Sequence, residues 1–301
     1  MRLQRVEFHA LGGPCSLQFH ADSDAPARAA RAEVERIETK YSRYRADSLV
    51  SRVNASAGDA RGVEVDEETA ALLDYAASAH AQSGGLFDIT SGVLRRAWDF
   101  KSARVPAQSE LDALLPCVGW EKLRWQQPRI VLPVAGMQLD FGGFGKEYAA
   151  DRAAAALRAA GVRHGLVELG GDLAVIGPHP DGSAWRVGIR DPRAPARAIA
   201  QVEVRAGGVA SSGDYERFFE KDGRRYGHLL DPRSGWPVQS DICAVSVLAE
   251  QCLIAGTATT IALLKGDAGP AWLEELGLPW LAIGRDGELQ GSLATARPPA
   301  P

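Results

Sequence analysis

The chain has 301 residues, and its 34 basic and 38 acidic side chains leave a net charge of −4. Hydrophobic residues make up 46% of the sequence and charged residues 24%, which excludes a disordered chain, because such chains lack the apolar surface to form a core. The slight acidity argues against a dedicated nucleic-acid-binding protein, which needs a concentrated basic face. The length predicts one large domain or two ordinary ones. The 32 glycines exceed the usual fraction of about 7%.

Four cysteines are spread along the chain without a Cys-x-x-Cys pair, which argues against a structural zinc site. Unclustered cysteines in a chain of this length are typical of a reducing compartment. The N-terminal residues do not resemble a signal peptide, and no apolar run approaches the roughly 20 residues that span a bilayer. We therefore expect a cytoplasmic protein without a membrane anchor, or a periplasmic one if a leader has been removed.

The N-terminal segment predicts a hairpin followed by a helix. Residues 6–19 alternate weakly in polarity and break at Gly12-Gly13-Pro14, as in a hairpin or a bent pair of strands. A helix of about 15 residues follows, with Asp24 as its cap and Pro26 in its first turn. Its predicted buried face consists of Ala30, Val34, Ile37 and Tyr41.

Two more helices are predicted before residue 162. One begins near Asp66, has two glutamates in its first turn, and ends at Gly84-Gly85. The other follows Gly145 and ends at Gly161. The residues predicted to be buried are Leu72, Ala76 and Ala79 on the first and Ala149, Ala153, Ala156 and Ala160 on the second.

From Val162 onward the pattern changes to short strands, with a hairpin turn at Lys221-Asp222-Gly223. The predicted strands are 166–169, 173–176, 185–189, 198–204 and 243–248. In 198–204, Ala200, Val202 and Val204 alternate with polar residues, as in a half-buried strand. A helix through Leu264 and a shorter one over 267–276 follow the last of them. Because the strands cluster rather than alternate strictly with helices, the pattern favours an α+β fold with antiparallel sheets.

Five turns combine glycine with carboxylate or hydroxyl side chains, and the one from Gly142 to Lys146 precedes a helix. Its backbone N–H groups could bind an anion such as phosphate. The turn is not a Walker A loop, because Asp140 occupies the first glycine position and Glu147 follows the lysine. It also lacks the third glycine of the dinucleotide fingerprint, which is Tyr148 here. Taken alone, it is better explained as an ordinary connection between a strand and a helix.

The remaining polar residues also have ordinary structural explanations when each is taken alone. His228 precedes Asp231 and Pro232, which form a combination typical of a β-turn. No histidine stands at a sequence spacing from Ser211 or Ser212 that is characteristic of a catalytic serine–histidine pair, which argues against a serine hydrolase.

The order of these segments along the chain carries more information than any one of them. Six segments follow one another: Leu11-Gly12 with 41–54, 85–100, 140–151, 168–172 with 185–189, 211–217, and 228–237. In this order and at these spacings, they resemble the ApbE family of FAD:protein FMN transferases over nearly the whole chain.

The resemblance implies an α+β fold of duplicated antiparallel sheets with packed helices, related to the T-fold. It implies that FAD binds in a cleft and is cut at its pyrophosphate with the help of Mg²⁺. AMP then leaves, and FMN becomes a phosphoester of a threonine in a partner flavoprotein. The cofactor-binding residues it implies are Leu11, Tyr44, Gly85, Leu86, Phe87, Asp88, Asp140, Gly143, Gly145, Lys146, Ser211, Ser212 and Asp214. The catalytic residues it implies are Lys146, His228 and Asp231.

This reaction needs charge neutralisation and in-line positioning more than covalent work by the protein. A metal ion, Lys146 and a glycine-rich turn would supply the neutralisation. The threonine hydroxyl needs a base, and either a carboxylate or His228 could serve.

One departure from the family concerns the metal ion. The resemblance implies three ligands, of which the backbone carbonyl of Gly145 and the hydroxyl of Thr260 are present, while Gly256 stands where the family has an aspartate. Glu147 stands where the family usually has glycine, and it could replace the missing carboxylate directly or through water. Alternatively, Glu147 is a solvated residue at a helix start, and the ion is weakly bound or lost.

The sequence therefore predicts a single transferase domain over 1–290 and a loose tail over 291–301. The predicted activity is Mg²⁺-dependent transfer of FMN from FAD to a partner flavoprotein, with no role for nucleic acid. Two alternatives are an FAD pyrophosphatase that releases FMN and AMP, and a non-catalytic FAD-binding protein that has lost the ion.

Overall fold

The computed structural model describes residues 1–215 and 217–294. Within these ranges the chain forms seven α-helices: α1 (Pro26–Tyr41), α2 (Leu49–Ala55), α3 (Glu67–Ser83), α4 (Gln108–Leu114), α5 (Gly145–Ala159), α6 (Cys252–Leu264) and α7 (Gly269–Leu276). None of the helices in the described ranges combines the length and the apolar character needed to cross a bilayer. All four cysteines are free thiols.

The strands of the described residues form one large sheet and three small ones. The large sheet has eight strands in the order β1 (Arg2–Ala10), β2 (Gly13–Ala21), β6 (Gly165–Leu169), β7 (Asp172–Gly177), β10 (Gly207–Gly213), β13 (Ile242–Ala249), β14 (Trp280–Gly284) and β15 (Leu289–Gln290). The small sheets contain β3 (Val63–Glu64), β5 (Arg129–Val131) and β4 (Arg124–Gln126); β8 (Trp185–Asp191) and β9 (Ala194–Val204); and β11 (Phe218–Lys221) and β12 (Arg224–Gly227). Every neighbouring pair is antiparallel, which confirms the predicted α+β class.

The large sheet separates two apolar layers. Helix α5 packs on β6 and β7, α6 packs on β10 and β13, and α1 packs on α5. The β8–β9 hairpin covers the opposite face, where Val187 and Val202 join Leu166 and Val209 of the large sheet in one cluster. Leu166 and Val167, which are neighbours in β6, belong to different clusters, because successive side chains of a strand point to opposite faces.

Several predicted elements are confirmed in place. The first hairpin turns at Leu11 and Gly12, which have φ of 54° and 79° and connect the paired residues Ala10 and Gly13. Helix α3 is capped by Asp66, whose carboxylate accepts the backbone N–H of Thr69 at 2.9 Å. The alternating pattern of β9 is confirmed, because its valines at 202 and 204 are buried.

Two details of the predicted helices are wrong. Asp24 does not cap α1: the cap residue is Ala25, which makes no side-chain hydrogen bond, and Pro26 begins the helix. On α5, Ala156 is only half-buried and Ala160 is exposed and lies beyond the helix. Alanines occur on all sides of this helix, so their positions do not reveal which face is buried. The buried face includes the fully buried Leu157 instead of Ala156 and Ala160.

The seven-residue helices α2 and α4 and the last two strands are not foreseen from the sequence. Of the predicted tail, residues 291–294 are described, and the backbone N–H of Leu293 donates to the carbonyl of Trp280 at 3.0 Å. Residues 295–301 lie outside the described residues, as does Glu216 in the fifth of the six matching segments.

Candidate functional site

A cleft opens beside the N-terminus of α5, between the loop that follows α3 and the ends of β7 and β10. Eleven of the seventeen predicted site residues line it: Leu86, Phe87, Asp88, Asp140, Gly143, Lys146, Glu147, Ser211, Ser212, His228 and Thr260. These residues come from positions 86 to 260 of the chain, so the fold brings together what the sequence shows only as separate turns.

The loop after α3 forms one wall and is held rigidly by Asp88. One carboxylate oxygen of Asp88 accepts the backbone N–H and the hydroxyl of Thr90 at 2.7 and 2.6 Å. The other oxygen accepts the N–H of Trp120 at 2.9 Å. Asp88 is therefore engaged in bracing the loop. The ring of Phe87 packs closely on Gly143, and a Cβ atom there would lie 3.2 Å from the ring, so a side chain at residue 143 would push the two walls slightly apart.

The outer rim of the cleft is organised by Asp140. Its carboxylate accepts hydrogen bonds from the Arg43 guanidinium at 2.9 Å and from the backbone N–H of Gly142 at 2.8 Å. Arg43 also lies over the ring of Tyr44, which is 78% exposed. Arg95 lines the cleft with its Nε 3.9 Å from Asp140, which already has a closer partner in Arg43. Arg95 is thus a cation at the cleft that the sequence analysis did not single out.

The deep end of the cleft contains a lysine and two buried carboxylates. Lys146 forms an ion pair with Asp172, which is 2% exposed and also accepts the backbone N–H of Ser211 at 3.1 Å. Burial by itself would lower the pKa of Lys146, but the charges of Glu147 and Asp172 raise it above its ordinary value. The lysine is therefore a fixed positive charge. Asp172 belongs to one of the quoted segments, yet sequence reasoning gave it no role.

Glu147 lies beside this ion pair and is 6% exposed. Its Oε1 lies 3.9 Å from Lys146 Nζ, and its Oε2 has no hydrogen-bond partner among the described residues. Burial raises the pKa of this carboxyl group, and the nearby charge of Lys146 opposes the rise. Glu147 is therefore a buried side chain, not the solvated helix-start residue of the alternative interpretation.

The serine hydroxyls of β10 bond to other hydroxyls. Ser211 Oγ lies 2.7 Å from Ser246 Oγ, and Ser212 Oγ lies 2.8 Å from Thr259 Oγ1. Neither arrangement supplies a base to activate a serine nucleophile, in agreement with the argument against a serine hydrolase.

His228 lines the cleft and is held in its neutral form. Burial lowers the pKa of its imidazole to about 4, and the charges of Arg95 and Arg217 act in the same direction. Asp231 does not line the cleft: its carboxylate accepts Arg233 Nε at 3.0 Å and Nη2 at 2.7 Å within the Asp-Pro turn. This hydrogen bonding outweighs burial and lowers the pKa of Asp231.

Besides Asp231, five other predicted site residues do not line the cleft, and they lie in different parts of the fold. Gly85 and Gly145 adjoin lining residues in the chain, and Leu11 and Tyr44 lie in turns further out. Asp214 faces a separate cavity, where it pairs with Arg285 at 2.6 Å and Arg225 at 3.4 Å.

The sequence profile of the ApbE family matches residues 11–281 of this chain. The chain belongs to the ApbE family. An FAD:protein FMN transferase of Vibrio cholerae is 30% identical over 83% of this chain and 76% of its own length. The corresponding protein of Klebsiella pneumoniae is 30% identical over 92% and 88%.

Solved structures of ApbE proteins share the fold. An ApbE protein of Thermotoga maritima superimposes with a TM-score of 0.88 at 30% identity and covers 97% of both chains. The apo form of the Pseudomonas stutzeri flavinyl transferase ApbE gives a TM-score of 0.86 at 31% identity, covering 97% of this chain and 95% of that one. The cleft described above therefore lies in a fold that this chain shares with these ApbE proteins along nearly its entire length.

Proposed function

We propose that this protein transfers FMN from FAD to a threonine hydroxyl of a partner flavoprotein and releases AMP. The family membership supports the reaction class, and one observation in the cleft carries the proposal. Lys146 is a half-buried cation, with a raised pKa, at the N-terminus of α5, where backbone N–H groups also favour an anion. A diphosphate is the part of FAD that such a site would hold.

The remaining cleft residues fit this substrate. Arg95 and Lys146 would neutralise the charge that shifts between the phosphates, and the turn over 142–145 would offer its N–H groups. Tyr44 and Leu11 would contact the adenosine at the outer rim. The loop around Phe87, braced by Asp88, would fix the position of the nucleotide.

His228 is the base we assign, because it lines the cleft and its buried Nδ1 has no hydrogen-bond partner among the described residues. Its lowered pKa keeps the imidazole unprotonated at neutral pH, so it can accept the proton of the threonine hydroxyl. The threonine oxygen bonds to the phosphorus of the FMN half as the bond to the AMP oxygen breaks, and AMP departs. Asp231, bonded to Arg233, would hold the turn that carries His228.

Mg²⁺ fits the deep end of the cleft. Thr260 and Glu147 line it, the Glu147 Oε2 atom has no partner among the described residues, and Gly145 comes two residues before Glu147 in the chain. Oxygen ligands of this kind are those that Mg²⁺ prefers. The bound ion would lower the negative charge of the diphosphate.

The test is incubation with FAD, Mg²⁺ and a candidate acceptor flavoprotein. We expect free AMP and an acceptor whose intact mass increases by one FMN group. AMP without a mass increase on any acceptor would indicate a pyrophosphatase instead. Bound FAD without AMP would indicate a flavin-binding protein.

Two further expectations belong to this proposal. We place the activity in one domain over residues 1–290, which truncation after residue 290 tests directly. The free thiols of all four cysteines favour a reducing compartment, the cytoplasm, which cell fractionation tests.

A further inference from the structure

Glu147 on α5 and Gly256 on α6 occupy one shared space. A Cβ atom built on Gly256 would lie 2.8 Å from both Cδ and Oε1 of Glu147, and closer still to its Cγ. Unbonded carbon atoms do not approach this closely without displacing one another. Any residue other than glycine at position 256 would therefore displace the Glu147 side chain.

The backbone gives no other reason for a glycine at this position. Gly256 lies inside α6, and its φ is not positive. Glycine within a helix lowers stability by about 1 kcal/mol relative to alanine. The close approach of Glu147 is thus the feature of this structure that accounts for the missing side chain.

The space that the two residues share is a particular place in the cleft. It contains a buried carboxylate 3.9 Å from Lys146, one oxygen of which has no hydrogen-bond partner among the described residues. Thr260, four residues after Gly256 on α6, lines the same cleft. Leaving such a group unpaired is costly, so an oxygen atom buried without a partner points to a missing cationic ligand. Carboxylate and hydroxyl oxygens such as those of Glu147 and Thr260 are the ligands that a hard divalent cation takes.

We propose that the cleft has a single carboxylate position that serves a divalent cation and that either helix can supply. In this chain α5 supplies the carboxylate through Glu147. Gly256 on α6 has no side chain, which leaves space for the side chain of Glu147. An aspartate at position 256 would send its own carboxylate along the path that the end of the Glu147 side chain now follows. The identity of the cation as Mg²⁺ rests on the proposed function, whereas the shared space of the two side-chain positions rests on the geometry alone.

Four variants test this exchange with Mn²⁺ as the probe, by calorimetry and by the cation-induced shift in Tm. E147A removes the carboxylate, and we expect Mn²⁺ affinity to fall at least about tenfold, since even residues behind the ligands have effects of that size. G256D alone crowds two carboxylates into one space and lowers the Tm of the cation-free protein. E147A/G256D relieves the crowding and restores both the Tm and Mn²⁺ binding.

E147A/G256N is the matched control, because asparagine has the size of aspartate without its charge. We expect it to recover the Tm but not the affinity for Mn²⁺. The proposal is overturned if G256D leaves the Tm unchanged, or if E147A/G256D is folded by circular dichroism and binds Mn²⁺ no better than E147A. It is also overturned if E147A binds Mn²⁺ as the parent protein does.

These outcomes are separate from those of the proposed function. If the parent protein flavinylates an acceptor but E147A/G256D stays folded without binding Mn²⁺, the exchange is wrong and the function stands. If the double variant recovers Mn²⁺ binding but the parent protein yields no AMP and no adduct, the function is wrong and the exchange stands.

Discussion

The two ends of the cleft contain the same kinds of side chain in different surroundings. At the deep end, Asp172 and Glu147 keep 3% and 8% of their side chains exposed, and Lys146, which lies against both, keeps 32%. At the outer rim, Arg43, Asp140 and Arg95 keep 21%, 15% and 34% of their side chains exposed. Water screens the rim charges, whereas the two buried carboxylates of the deep end act on Lys146 with less screening. We therefore expect substitutions at the deep end to affect function far more than those toward the rim.

The largest effect is expected from K146M. This variant removes the deep cation and leaves Asp172 without its ion-pair partner. We expect kcat/KM for AMP release to fall by about 10²–10³-fold, the usual loss for one electrostatic group acting on a developing charge. K146R keeps the charge and should fall less. A K146M rate equal to that of the parent protein would remove the distinction between the two ends.

Asp172 is a positioning residue for Lys146, and its replacement should have the next largest effect. We expect D172N to lower kcat/KM by about 10–100-fold, as for residues that orient a catalytic group. The negative charge of Asp172 helps to raise the pKa of Lys146, so its loss should lower that pKa and move the basic limb of the pH–rate profile to lower pH. S211A is the control, because Asp172 bonds the backbone N–H of Ser211 and not its hydroxyl. A purely structural role would leave the basic limb in place.

Arg95, nearer the rim, should have a smaller effect. We expect R95Q to lower kcat/KM by about tenfold, because Arg95 lies 3.9 Å from the partly exposed Asp140, whereas Lys146 contacts a buried carboxylate directly. Its positive charge lowers the pKa of His228, so R95Q should raise that pKa toward the ordinary value, which an NMR titration of the imidazole measures. R96Q is the matched control, because Arg96 is an exposed neighbour on the same short helical segment. Equal effects of the two variants would contradict the assignment.

The smallest expected effect concerns stability at acid pH. The folded pKa of His228, about 4, lies below the unfolded value of 6.5, so folding favours the neutral imidazole. This stability is complete above pH 6.5 and is lost as the pH falls toward 4. Relative to H228N, the parent protein should lose up to about 2 kcal/mol of unfolding free energy over that range, since the ring is partly exposed. Urea denaturation of both proteins at pH 6.5 and pH 4 measures this loss. If the unfolding free energy of the parent protein and of H228N falls by the same amount between the two pH values, the prediction is wrong.

The sequence predicts the elements whose signals are local. The hairpin at Gly12, the cap at Asp66 and the alternation of β9 depend on neighbouring residues, and all three are confirmed. The alanine-rich α5 shows the limit, because residues that fit any face do not reveal which face is buried.

The candidate site shows the same division between local and distant information. The glycine-rich turns are visible as segments, and most of their residues do line one cleft. Arg95 and Asp172 stand out only once the fold brings them to His228 and Lys146, from far along the chain. The contact between Glu147 and Gly256 joins two helices more than a hundred residues apart, so no spacing rule in the sequence reveals that they share one space.

Tandem mass spectrometry of an acceptor flavoprotein treated with FAD and Mg²⁺ tests the central claim most directly. The parent protein should attach FMN to one threonine of the acceptor, and an acceptor with alanine at that position should stay unmodified. K146M should give little or no adduct in the same time. Free AMP with an unmodified acceptor, or an adduct formed equally by K146M, would contradict a transferase that depends on the deep cation of this cleft.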